Sequence, residues 1–160
     1  MWELETHLCE RTRATGYEYG AICTTDGGQV GSVRAGSSDT IHFGGLVQAW
    51  PTGERFVMTH THPSGGTFSP EDVYLLVNSP GLCGIRAIAP NGVVYILAKP
   101  QGYAMLSLDI IKDAFSQGFV VVHKDVTQRN TFENLPSPIE FRHMVMASVA
   151  SRLGLKYTKE

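Results

Sequence analysis

The stretch from Met58 to Asp72, Met-Thr-His-Thr-His-Pro-Ser-Gly-Gly-Thr-Phe-Ser-Pro-Glu-Asp, constrains the fold more than any other part of the chain. Residues 55–62 read as a strand, and Pro63 stops it because proline has no N–H for a ladder. Gly65 and Gly66 permit a tight return path. Ser69-Pro70-Glu71-Asp72 then opens a helix, with serine at the N-cap, proline at the first helical position and acids in the first turn. In a strand, residues i and i+2 point to one face. His60 and His62 therefore present their rings side by side, and the first turn of the helix delivers Asp72. Two histidines and an aspartate are ligand types of a catalytic zinc site, which takes three protein ligands and leaves one position for water. A plainer reading stands beside this one. Ser69 and Asp72 also fit an N-cap and its N3 acid, which is helix capping with no metal. The two are compatible, because a helix N-terminus favours the negative charge of Asp72 in either case.

The rest of the chain alternates short strands and helices. Residues 2–13 suggest a helix with Leu4 and Leu8 on one face, ended by Gly16. Residues 17–24 and 29–33 read as a hairpin across Asp26-Gly27-Gly28. A short strand is expected at 40–43 and a helical turn at 46–50. The helix opened by Ser69 should run to about Asn78. Residues 83–89 and 93–98, joined by Pro90-Asn91-Gly92, form the clearest hairpin. Residues 106–116 have helical periodicity, and Phe119-Val120-Val121-Val122-His123 is ambiguous between a strand and a continuation of that helix. Ser137-Pro138-Ile139-Glu140 opens a terminal helix with Ile139, His143, Met146, Ala150 and Leu153 on one stripe. The expected fold class is α/β of the α+β type: a mixed, curved sheet with hairpins, flanked by helices. A single domain over residues 1–160 is expected, with a core of about 14–120 and a C-terminal helical extension at about 136–155.

A hydrolytic metal centre needs a base for its water, and a nearby carboxylate can take and return that proton. The upstream candidates are Glu3, Glu5, Glu10, Glu18 and Glu54. Glu18 stands out because it sits in the apolar run Tyr17-Glu18-Tyr19-Gly20-Ala21-Ile22-Cys23, on the face of Gly20 and Ile22. A buried carboxylate is costly without a partner or a cation. The alternative for Glu18 is the solvent side of an edge strand. Glu54, in a Gly/Pro loop, reads as solvated. His42 reads as packing or surface, His123 and His143 as partly buried packing residues, and His7 as solvated.

Glu18, His60-Thr61-His62-Pro63, Ser69 and Asp72 together resemble the JAMM motif of MPN-plus metalloproteases: an upstream Glu, then His-x-His-Pro, then Ser-x-x-Asp. The resemblance covers roughly residues 17–99. It implies a mixed, curved sheet flanked by helices, similar to the cytidine deaminase architecture. It implies that His60, His62 and Asp72 bind Zn2+, that Glu18 is the general acid/base, and that Ser69 steadies the oxyanion. The implied activity is a zinc-dependent metallopeptidase or isopeptidase, deubiquitinase-like. Its partner would be a protein or peptide, such as a ubiquitin-like protein with an extended C-terminal tail. His62 and Asp72 are ten positions apart, one fewer than in eukaryotic deubiquitinases. The His-Pro-Ser-Gly…Phe-Ser-x-x-Asp form resembles bacterial and phage-associated relatives. That branch raises a second expectation, a non-catalytic or assembly-associated module in a phage or toxin context. A DNA-repair-associated His-Asn-His-Pro-Ser-Gly branch is a third.

Composition narrows the classes. The net charge of −2 and the lack of Lys/Arg clusters argue against a nucleic-acid partner. No apolar run approaches the roughly 20 residues that span a bilayer, and the N-terminus lacks signal-peptide character. Cys9, Cys23 and Cys83 are widely spaced and read as reduced thiols, so a cytoplasmic protein is expected.

Overall fold

A computed structural model of the protein describes residues 2–43, 53–129 and 134–160. The elements, in chain order, are α1 (Glu3–Thr15), β1 (Tyr19–Thr24), β2 (Gln29–Ala35), β3 (Phe56–Thr61), α2 (Pro70–Asn78), β4 (Leu82–Ile88), β5 (Val94–Ala98), α3 (Leu108–Arg129), α4 (Pro138–Leu153) and β6 (Lys156–Lys159). The strands form one six-stranded sheet in the order β2-β1-β3-β4-β5-β6. Only β3 and β4 run parallel; every other neighbouring pair is antiparallel. The fold is thus α+β with a mixed open sheet. The parallel pair follows from chemistry in the sequence: α2 is the crossover between β3 and β4, and a parallel connection requires one.

The helix boundaries are set locally. The Glu5 carboxylate accepts the Trp2 N–H at 2.9 Å at the start of α1. Gly16, at φ 74°, closes α1 by donating its N–H to the Thr12 carbonyl. At α4, the Ser137 hydroxyl accepts the Glu140 N–H at 3.2 Å, and the Glu140 carboxylate accepts the Ser137 N–H at 2.8 Å. That reciprocal pair is a capping box.

The alternation of β3 sorts the two faces of the sheet. Phe56, Met58 and His60 face α2, α3 and α4, where the main core lies: Ile22, Val73, Leu76, Ile85, Leu97, Ile111 and Val149 are all buried there. Thr59 and Thr61 face α1. There the fully buried Glu5 accepts hydrogen bonds from Thr59 Oγ1 at 2.9 Å and from Arg86 Nε at 2.6 Å. The Arg86 guanidinium lies over the Trp2 ring at 4.5 Å. Cys9, Ile88 and Val94 form a smaller cluster on this side.

Several expectations are corrected, one ambiguity is resolved, and one expectation lies outside the described residues. Residues 40–43 form no strand: the Ser37 N–H bonds the Thr40 carbonyl in a turn, and Phe43 is 4% exposed. The run from Phe119 to His123 continues α3, which reaches Arg129. Its periodicity is helical because Val122 packs inward while Phe119, Val120 and Val121 stay exposed. β1 begins at Tyr19, not at Tyr17. The helical turn expected at 46–50 lies outside the described residues. The C-terminal segment does not stand apart. α4 buries Val145, Met146, Val149 and Ala150 in the main core, and β6, unforeseen from the sequence, completes the sheet beside β5. Gly118 lets α3 and α4 approach closely, since a Cβ there would come within 3.1 Å of Val149.

Candidate metal centre

His60 and His62 end β3 and its extension, and Asp72 stands in the first turn of α2, as the strand–loop–helix reading expected. The three side chains converge. His60 Nε2 lies 2.8 Å from His62 Nε2 and 3.5 Å from Asp72 Oδ1. His62 Nε2 lies 3.7 Å from Asp72 Oδ2. Ligands held 2.0–2.1 Å from one tetrahedral ion are about 3.3 Å apart. The three observed edges straddle that separation, so this cluster could hold a metal ion.

The electrostatics suit cation binding. His60 is fully buried, and burial lowers its pKa, with Asp72 opposing. His62 is pushed down to about 4, first by burial and then by His60, again with Asp72 opposing. Both rings are therefore neutral near pH 7, the state in which imidazole is a ligand. His60 Nδ1 is buried without a hydrogen-bond partner. The tautomer that leaves the Nε2 lone pair free for a cation places a proton on this unpartnered nitrogen, a cost that ligation at Nε2 can offset.

Asp72 is oriented by Ser69. Its Oδ2 accepts both the Ser69 N–H and the Ser69 hydroxyl, each at 2.8 Å, while the Ser69 hydroxyl accepts the Asp72 N–H at 3.1 Å. The capping box and the candidate ligand are thus one structure. In this arrangement the single proton of the Ser69 hydroxyl is committed to Asp72 rather than aimed at an oxyanion. Hydrogen bonds of this kind hold a ligating carboxylate in place.

Glu18 directly precedes β1 and is 6% exposed. Its backbone is anchored to the turn after β2: the Glu18 N–H bonds the Ser37 carbonyl, and the Gly36 N–H bonds the Glu18 carbonyl. Burial raises its pKa from 4.5 to about 7, with the charges of Asp72 and Asp39 adding to the effect. Glu18 is therefore a largely desolvated carboxyl within the electrostatic reach of the cluster. Gly20 explains how β1 fits here. It pairs with His60, and a Cβ at Gly20 would meet the Phe43 ring at 2.5 Å and His60 Cβ at 2.9 Å. Beyond Gly20, Tyr19 bonds the Thr61 hydroxyl through both its N–H and its carbonyl, at 2.9 and 3.2 Å. That side-chain bridge joins β1 to β3 just past the Gly20–His60 pair.

The other upstream acids separate by environment. Glu5 is buried on the opposite face in its ion pair with Arg86, while Glu3, Glu10 and Glu54 are exposed. His42 and His7 are exposed and outside the cluster. His143 packs partly buried, its Nδ1 2.8 Å from the Tyr157 hydroxyl. His123 differs from expectation: it is exposed and stacks on Phe119 with ring centroids 5.9 Å apart.

A cleft of about 780 Å3 opens beside the cluster. His62, Ser69 and Phe68 line one wall, and Phe119, Phe141 and Arg142 from α3 and α4 line the other. Sequence reasoning missed these helix residues, because nothing local signals that α3 and α4 return to the loop between β3 and α2. No family model matches the chain, and neither a curated protein nor a solved structure does. No helix among the described residues is long and apolar enough to cross a membrane.

Proposed function

We propose that this protein is a zinc-dependent hydrolase of amide bonds, a JAMM-type metallopeptidase or isopeptidase. The observation that carries the reading is the convergence of His60, His62 and Asp72 at metal-ligand spacing. Glu18, buried nearby, supplies the one further group such chemistry needs. Zinc is the cation of choice because two neutral imidazoles and one carboxylate, with a position left open, are its hydrolytic donor set. When bound, it polarises the scissile carbonyl and acidifies water.

The residues of the chain do the rest. Glu18 takes a proton from the attacking water and returns it to the leaving nitrogen. A carboxyl whose pKa lies near 7 suits both steps, since general acid–base catalysis is most effective when the pKa lies near the working pH. Ser69 holds Asp72 in its ligating orientation. The Phe68 ring, 4% exposed and with its centroid 6.5 Å from that of His60, screens the cluster from water on one side. The cleft supplies a path for an extended polypeptide, such as the tail of a ubiquitin-like protein.

The test combines metal analysis with cleavage. Purified wild type is expected to bind about one zinc per chain and to cleave members of a panel of fluorogenic peptides and ubiquitin-like fusions. Glu18→Gln should retain the zinc and lose roughly 10²–10⁴-fold in rate, the usual worth of a general base. His60→Ala should lose both zinc and activity. A wild type that binds no zinc, or a Glu18→Gln variant as active as wild type, defeats the proposal. An assembly module would need no buried carboxyl at the position of Glu18, so the hydrolase is preferred.

A further inference from the structure

The cleft beside the metal cluster has a character of its own. Its described lining is apolar and aromatic, with Phe119 and Phe141 in edge-to-face contact at 5.3 Å between centroids. No Asp or Glu is among the described lining residues, and Arg142 is the one formally charged side chain there. No hydrogen bond or ion pair within the described residues engages the Arg142 guanidinium, although other arginines are used: Arg86 on Glu5, Arg13 on the Pro90 carbonyl, Arg152 on Gln117. Arg142 Nη1 is aimed at the metal loop. It lies 3.3 Å from the point where a Cβ at Gly66 would sit, and Ser64 Oγ and His62 Nδ1 lie 3.4 and 3.9 Å from that same point. A guanidinium, a hydroxyl and a candidate ligand histidine thus surround one small space beside Gly66.

We infer that the cleft binds an extended polypeptide segment that carries an aromatic or branched aliphatic side chain and a neighbouring Asp or Glu side chain, and that Arg142 selects for that carboxylate. The inference rests on the hydrolase reading and names the substrate class of the same site. The apolar side chain lies against Phe119 and Phe141. The carboxylate pairs with Arg142, whose planar fork suits it better than a lysine ammonium does. The volume falls in the upper part of the roughly 300–1,000 Å3 range of ligand pockets. It accommodates several residues of chain, and we assign the carboxylate to a side chain within the segment, which peptides blocked at both ends distinguish from a chain end. Continuity with the cluster through His62 and Ser69 makes this segment part of the substrate.

The probe is a set of hexapeptides blocked at both ends, each with one Phe and, next to it, either Glu or Gln. Binding to the zinc-loaded, full-length Glu18→Gln variant is read by fluorescence anisotropy, and cleavage of the same peptides by wild type as kcat/KM. Glu peptides are expected to bind roughly tenfold tighter than their Gln twins, the worth of one charge-assisted hydrogen bond. Arg142→Gln should bring that gap to within about twofold, Arg142→Lys should restore part of it, and added salt should narrow it. Phe119→Ala should weaken Glu and Gln peptides alike. Both positions are surface-exposed, so a thermal melt of each variant verifies folding. Equal binding of Glu and Gln peptides overturns the inference, as does a gap that survives Arg142→Gln or a preference that requires a free C-terminal carboxylate. Binding by no peptide overturns it as well. The two proposals fail separately. Cleavage without a charge preference sinks only the Arg142 assignment, whereas an Arg142-dependent gap in a protein that cleaves nothing sinks the hydrolase and makes the segment a bound ligand rather than a substrate.

Discussion

Glu18 carries a structural burden that the proposed chemistry would put to use. Its carboxyl is nearly excluded from water, so folding favours its protonated form. The direction of the pH effect follows. The folded pKa, about 7, lies above the ordinary 4.5, so neutral Glu18 is fully compatible with folding below pH 4.5. Stability is lost as pH rises from there through 7. In metal-free protein, the melting temperature of Glu18→Gln minus that of wild type should therefore grow between pH 4.5 and 7.5, by several degrees in total. The upper bound is about 3 kcal/mol, from a displacement of this size. Other titrating groups, the histidines included, largely cancel in the difference. A difference that stays flat across this window would show that Glu18 is solvated. The composition of the Tyr17–Cys23 run already hinted at this burial, because a lone acid among apolar residues demands an account. The charges of Asp72 and Asp39 that act on Glu18 come from the start of α2 and the turn after β2, which no local pattern brings together.

At the scale of the element, the join between β3 and α2 is the unit that matters. Ser69 caps α2 and holds Asp72 with the same two groups, its N–H and its hydroxyl. Under the proposed function, helix stability and metal affinity are therefore coupled here. Ser69→Ala should cost about 1 kcal/mol in urea denaturation, the ordinary value of an N-cap. It should also weaken zinc binding roughly tenfold or more, as loss of an orienting partner of a ligand does. A chelator competition measures the second effect. If Ser69→Ala lowers stability but leaves zinc affinity untouched, the serine is a cap alone. This element was the most legible in the sequence, because its signals are local: proline after the strand, two glycines in the loop, serine and proline at the helix start. α3 was less legible. Its valine-rich centre fits strand and helix alike, and packing against α4 through Gly118 decides for helix.

At the scale of the molecule, the sheet separates two kinds of interior. The cluster of His60, His62 and Asp72 and the main core lie on one face. On the other, α1 is held by the buried pair of Glu5 and Arg86, with Thr59 as a third partner. Thr59 adjoins His60 in β3, so this network braces the strand that carries His60 from behind. Removing one member strands a buried charge, which typically costs about 3–5 kcal/mol, whereas replacing both with apolar groups can be nearly neutral. Glu5→Ala should therefore be much more destabilising than the double variant Glu5→Leu/Arg86→Met, as read from denaturation midpoints. Comparable losses in the two would mean that the pair's charges are solvated or unimportant.

The sequence by itself determined the local units: the strand that ends in His60 and His62, the capped helix that carries Asp72, both hairpins, and the terminal helix begun at Ser137. Each depends on backbone chemistry within a few residues. Only the tertiary structure decided what those units meet. It placed β6 beside β5, folded α4 into the core, committed Glu5 to Arg86 while leaving Glu18 near the cluster, and brought Arg142 against the loop between β3 and α2. Those outcomes come from covering both faces of the sheet, one with α2, α3 and α4 and the other with α1. Burial rewards total apolar area removed from water, which depends on the packing of the whole chain and leaves no mark at any single position.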